Sequence, residues 1–170
     1  MIQTLAPWVE PIARRDREGR AELLEFARSV PPDAWDRASP VEGWTYRDVL
    51  AHLASDTDKW FAYILGTVLD GGRLDPARVG PDVDVDAVNA RGVEERRRRS
   101  VAELIAEIEA DGEEHDELLS RLTDDHRDTR QAEYPISFGE FLSDNPAGSR
   151  GDHDREHLAQ LRTALEKDKA

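Results

Sequence analysis

His153 and His157 stand four residues apart in a stretch that reads as helix, so their imidazoles lie one turn apart on the same face. Two neutral imidazoles at that spacing can close on one divalent cation, as in helical zinc sites whose histidines share a face. A pair needs a third ligand from another element, and His52, two turns into a well-marked second helix, is the candidate. Zinc and nickel both accept imidazole, so ligand type does not choose between them. Three protein ligands would leave one coordination position open, whereas His115 or Asp56 as a fourth would close the shell into a structural site. Ligands must be deprotonated, so affinity is expected to fall below the ordinary histidine pKa of about 6.5. The plainer alternative is that the three imidazoles bind nearby acids and no ion. His115, inside an apolar face, reads as a satisfied core histidine and His126 as a surface loop residue. Asp56, Glu140 and Asp144 read as surface acids, with Asp56 also placed to orient His52.

These residues depend on the elements that carry them. Thr45 is an N-cap, with Asp48 at the capping-box position and Trp44 and Val49 at hydrophobic-staple spacing. The helix so begun runs from Tyr46 to about Leu69, sets Val49, Leu53, Trp60 and Ile64 in one apolar arc with His52 at its edge, and ends at Gly71-Gly72. Before it, Val9, Ile12, Leu23, Leu24, Ala27 and Val30 predict a helix from about Pro7 to Val30, weakened by Gly19 and stopped by Pro31-Pro32. Gly72 to Asp86 has neither helical nor strand period and reads as a long mobile loop. A third helical region starts near Asp86, breaks near Ser100 and restarts with a capping box at Ser100 and Glu103, after which Leu104, Ile108, Leu119 and Leu122 share a face. The arginines at 96 to 99 read as a solvated helix face. Thr123 to Gln131 is polar. Tyr134 to Leu142 reads as loop with one helical turn. The last helix starts between Asn145-Pro146 and Ser149 and carries Leu158, Leu161, Ala164 and Leu165. The pattern predicts an all-α, four-helix bundle forming a single domain over residues 1–170.

Composition narrows the function. There are 23 Lys+Arg against 37 Asp+Glu, a formal net charge of −14, which repels nucleic acid and anionic lipid alike. No apolar run is long enough to cross a bilayer and no signal pattern opens the chain, so a cytoplasmic location is expected. With no cysteine, any sulfur chemistry would need a thiol brought in from outside.

Three stretches, Gly43-Trp44-Thr45 through Ala51-His52-Leu53, Asn89-Ala90-Arg91, and His153-Asp154-Arg155-Glu156-His157-Leu158-Ala159-Gln160-Leu161, resemble the DinB-like superfamily. Within it they are most similar to the N-terminal domains of mycothiol-dependent maleylpyruvate isomerases, and the likeness runs over nearly the whole chain. It implies an up-down-down-up four-helix bundle holding zinc or nickel through one histidine of the second helix and a pair on the last, positions that match His52, His153 and His157. The isomerase proper uses glutamate where this chain has His153, and carries a second domain without counterpart here. Both departures point away from maleylpyruvate as the substrate. The resemblance further implies a thiol-dependent S-transferase or isomerase, with a low-molecular-weight thiol of the mycothiol or bacillithiol type, a small electrophilic substrate, and Arg47 and Asn89 helping to orient ligands. A homodimer is the assembly carried with these expectations. The competing expectation is a non-catalytic, metal-stabilised binding or stress-response module.

Overall fold

The computed structural model describes residues 5–131, 136–144 and 148–167, without the side chains of 56–58, 166 and 167. Its elements are α1 (Glu10–Ser29), a 3-10 turn at Pro32–Ala34, α2 (Tyr46–Leu69), α3 (Pro76–Val79), α4 (Val85–Arg96), α5 (Val101–Ser120), α6 (Asp124–Arg127), α7 (Phe138–Asp144) and α8 (Arg150–Lys167). α2 and α5 start where their capping chemistry places them. Thr45 Oγ1 accepts from the Asp48 amide at 3.1 Å while Asp48 Oδ2 accepts from the Thr45 amide at 2.9 Å, and Ser100 and Glu103 make the same reciprocal pair for α5. Val30 turns extended ahead of Pro31 and ends α1. After α2 the chain reverses through Gly71 at φ +67°, a conformation that favours glycine.

Cross-helix pairs give the topology. Along α1, Asp16, Arg17 and Arg28 meet His115, Asp116 and Glu109 in turn, so α5 runs antiparallel to α1. Arg15 meets Asp152 and Glu22 meets Arg155, so α8 runs parallel to α1. Leu50 and Leu53 share a cluster with Leu104 and Ile108, Lys59 reaches Glu114, and Ile64 and Leu65 share a second cluster with Leu119, so α2 and α5 are parallel. The result is the up-down-down-up four-helix bundle that the resemblance implies, with α4 laid antiparallel along α2, where Gly92 abuts Ser55 and Arg97 lies near Asp48.

Two apolar clusters fill the bundle. One gathers Leu23, Leu24, Leu50, Leu53, Leu104, Ile108 and Leu161, and the other Val9, Ile12, Ile64, Leu65, Leu119 and Phe141. On each of α1, α2 and α5 a buried polar residue falls between them, namely Asp16, Ser55 and His115. This polar layer is anchored by Asp16, which accepts from the Gly151 amide at 3.0 Å and Ser149 Oγ at 3.2 Å, and lies 3.1 Å from His115 Nε2.

Gly19, read from sequence as a weak point of the first helix, is required there. A Cβ on it would sit 2.5 Å from the Gly151 carbonyl oxygen and 2.8 Å from the Gly151 Cα, because α1 and α8 touch backbone to backbone. Helix propensity alone predicts that Gly19→Ala gains about 1 kcal/mol. The clash with unyielding backbone reverses the sign, and Gly19→Ala is expected to lose about 1–3 kcal/mol in urea denaturation. A variant more stable than the parent would disprove the close approach.

Several expectations are corrected. The segment from Gly72 to Asp86 is pinned rather than mobile: Leu74 and Val79 are buried, the Asp75 amide donates to the Tyr63 hydroxyl at 2.8 Å, and Arg78 lies over the Tyr63 ring. Of the arginine run, Arg97 to Arg99 are exposed as expected but lie in the α4–α5 turn, while Arg96, the last residue of α4, is largely buried against Glu107. α7 is two turns long rather than one, and Glu140, a surface acid as expected, caps it by accepting from the Ser137 amide at 2.7 Å. His126 caps α6 through Nδ1, which accepts from the Thr123 amide. Ser149 is the cap of α8, its Oγ accepting from the Asp152 amide at 3.1 Å. Asn145-Pro146 and Tyr134-Pro135 lie outside the described residues.

Candidate metal centre

α2 brings His52 inward two turns below the Thr45 cap, and the first turns of α8 present His153 and His157 to it. The ring centroids stand 5.3 Å apart for His52 and His153, 4.9 Å for His52 and His157, and 4.8 Å for His153 and His157. One nitrogen from each ring lies within 4.8 Å of the other two. Among the described residues this is the single group of three potential ligands so arranged. His52 is buried and the α8 pair half-buried, so the cluster opens on one side. Trp44 closes another side, its ring centroid 5.5 Å from that of His52.

The electrostatics favour neutral imidazoles. Burial and then the neighbouring His157 push the His52 pKa down to about 4. Burial, followed by His157, His52 and Arg150, pushes His153 down to about 3. Burial also lowers His157, against the opposing pull of Glu156 and Gln160. Among the described residues, no hydrogen bond joins any of the three to an acid. His52 Nδ1 and His157 Nδ1 are buried without a hydrogen-bond partner. Three neutral nitrogen donors converging from two helices fit a divalent ion of the zinc or nickel kind.

The sequence expectation that affinity falls below pH 6.5 moves downward. With His52 and His153 depressed to about 4 and about 3, proton competition in the folded protein sets in well below the ordinary value. Zinc affinity of the folded protein is expected to be nearly flat from about pH 7.5 to about pH 6 and to fall below about pH 5. Competition titration against a chelator at each pH checks this, and a steep loss between pH 7 and 6 would contradict it. The sign for folding agrees. The unfolded histidines bind protons near pH 6.5 and the folded ones do not, so stability is present above about 6.5 and is lost as pH falls toward about 4.

The other nominated residues sit elsewhere or have other partners. His115 is buried against Asp16 with Phe61 edge-on, and is no part of the cluster. Arg47 reaches Asp36 at 2.8 Å. Asn89 on α4 is half-buried with its Oδ1 unpartnered. The side chain of Asp56 lies outside the described residues. Sequence reasoning missed Trp44 as a wall of the cluster, having read it only as a staple. It also missed Asp154, buried beside the pair, whose carboxyl burial raises to about 6 despite Arg150. The signal that could have found it is its spacing, four before Leu158 and seven before Leu161 on the buried stripe of the helix.

The bundle, with three histidines converging from two of its helices, has counterparts among known proteins. Residues 17–143, well over half of the chain, match the model for the mycothiol maleylpyruvate isomerase N-terminal domain, and the chain belongs to that family. The matched stretch contains His52 but ends before His153 and His157. No curated protein matches at a meaningful level. Among solved structures, the mycothiol-dependent maleylpyruvate isomerase superposes with a TM-score of 0.67 at 18% identity, covering 90% of this chain and 60% of its own. A histidine-to-alanine mutant of the mycothiol-dependent maleylpyruvate isomerase gives 0.66 at 17%, with the same coverage. An uncharacterised protein from Escherichia coli UTI89 gives 0.73 at 14% identity and covers 96% of both chains. At these identities the likeness is one of fold, and the chain spans 60% of the isomerase's length.

Proposed function

We propose that the chain is a divalent-metal protein in which His52, His153 and His157 hold one zinc or nickel ion, and that it is a thiol-dependent S-transferase or isomerase acting on a small electrophile. The observation that carries this is the convergence of three neutral imidazole nitrogens within 4.8 Å of one another. When bound, the ion supplies a Lewis acid at an open position, where it lowers the pKa of a thiol to make a thiolate available near neutrality. The chain has no cysteine, so the thiol is a separate small molecule of the mycothiol or bacillithiol type. Its own residues shape the site. Trp44 excludes water from one side of His52. Asn89 offers a buried carbonyl oxygen without a partner, which suits an orienting acceptor. A groove of about 620 Å³, lined by Ala38, Pro40, Tyr46, Gln160 and Thr163 among others, begins one turn beyond His157 and has room for a small substrate. Its wall is tied to the site, since the Ser39 amide donates to the Trp44 carbonyl.

The proposal extends to one domain spanning residues 1–170, working in the cytoplasm on a small molecule, alone or as a homodimer. Neither nucleic acid nor membrane is proposed as partner: the net charge is −14, and among the described residues no helix is long and apolar enough to cross a membrane. A second reading rests on the ligands joining α2 to α8, where an ion would brace the bundle without turnover. One assay separates the two. Metal-loaded protein is incubated with a panel of bacterial thiols and chlorodinitrobenzene or monobromobimane, with His52→Ala as control. Thiol consumption well above the control is expected for at least one thiol. Consumption equal to the control throughout, with a drop in melting temperature on chelation, would replace the enzyme with the metal-braced module.

A further inference from the structure

Gln160 follows His157 by three residues on α8, so the two side chains share a face. Each carries a buried orphan: His157 Nδ1 and Gln160 Oε1 both lack a hydrogen-bond partner. The orphans are complementary, because a neutral imidazole can carry its proton on Nδ1 and an amide oxygen accepts one. The Gln160 side chain is also near enough to favour the protonated ring of His157. Among the described residues no acid does this for His157 by hydrogen bond, whereas buried polar atoms are ordinarily paired. A ligating histidine usually donates its second nitrogen to such a partner, which fixes the tautomer and ring orientation.

We propose that Gln160 is the positioning residue of the metal centre, accepting a hydrogen bond from His157 Nδ1–H and so presenting the Nε2 lone pair of His157 to the ion. This rests on the metal reading above. An uncharged amide suits this place in a chain so rich in acids. Its oxygen accepts the imidazole proton without placing a further carboxylate among half-buried groups.

The test uses the full chain and cobalt(II), whose visible absorption reports binding without any assay of activity, followed by zinc competition. Gln160→Met keeps length and helix propensity but removes the acceptor. It is expected to weaken metal binding about 10–100-fold, the range for loss of such a partner. Gln160→Glu, a stronger acceptor, is expected to restore or exceed parental affinity. In the zinc-loaded parent, long-range proton–nitrogen correlation should show His157 protonated on Nδ1 and slow to exchange, and Gln160→Met should lose that slow exchange. Melting of the metal-free variants reports the fold separately. Parental affinity in Gln160→Met, or weakening that Gln160→Glu does not rescue, overturns the role of Gln160 and leaves the metal site standing. Failure of the parent to bind cobalt removes both.

Discussion

The parent protein, produced in zinc- and nickel-supplemented medium, is expected to emerge with one divalent ion and His157→Ala without it, and His52→Ala and His153→Ala are expected to behave like His157→Ala. Each substitution takes one nitrogen from a set of three, leaving two ligands that cannot enclose a cation. The affinity loss should exceed the roughly 100-fold upper end for removing an outer partner, since here the donor itself is removed. His115→Ala serves as the contrasting variant, because His115 binds Asp16 and stands outside the cluster. It should lose stability and keep the ion in whatever fraction remains folded. Elemental analysis of the parent and four variants decides the matter. Equal metal in parent and His157→Ala would end the metal reading, as would loss in His115→Ala as complete as in the others.

The parts of this site legible in the sequence were those set by local chemistry. Thr45 and Asp48 fixed where α2 begins, and with it the face on which His52 stands, because a capping box is closed within four residues. Spacing along α8 placed His153 and His157 together for the same reason. What local pattern did not hold was the tertiary use of polar residues. Asp16 lies in the charged run from Arg14 to Arg20 that reads as solvent-facing, and its position is decided by the Gly151 amide and the His115 imidazole that other elements bring to it. Glu140 and His126 are surface groups as read, and each also closes a local capping box, with Ser137 and Thr123, whose three-residue spacing was legible in the sequence. The Gly72–Asp86 segment shows the same limit: Leu74 and Val79 are too far apart to show a period, yet they pin it to the second apolar cluster.

The largest loss of stability is expected at Asp16, whose carboxylate joins three helices within the polar layer. It accepts from the Gly151 amide and Ser149 Oγ at the start of α8, faces His115 Nε2 on α5, and is 1% exposed. Asp16→Ala strands these groups in a space water does not reach. Leaving a buried donor without its acceptor costs about 1–3 kcal/mol, so stranding several costs about 3–5 kcal/mol together. Asp16→Asn keeps the shape and one acceptor and should lose less, about 1–3 kcal/mol. Since Asp16 fixes the start of α8, which carries His153 and His157, Asp16→Ala should also weaken metal binding with all three ligands intact. The pH dependence distinguishes this carboxylate from the histidines. Burial by itself would raise the Asp16 pKa, but the hydrogen bond and charge of His115, the Gly151 amide and Arg15 together leave it below the ordinary value. A carboxyl depressed on folding contributes stability above its unfolded pKa of about 3.9, and that contribution is lost as pH falls through the lower folded value. The buried histidines instead withdraw stability between about pH 6.5 and about pH 4. The difference in unfolding free energy between parent and Asp16→Ala should therefore stay constant from about pH 7 to about pH 5 and shrink only below about pH 4. Shrinkage already complete at pH 5 would show that the carboxylate is not held in its charged form by this network.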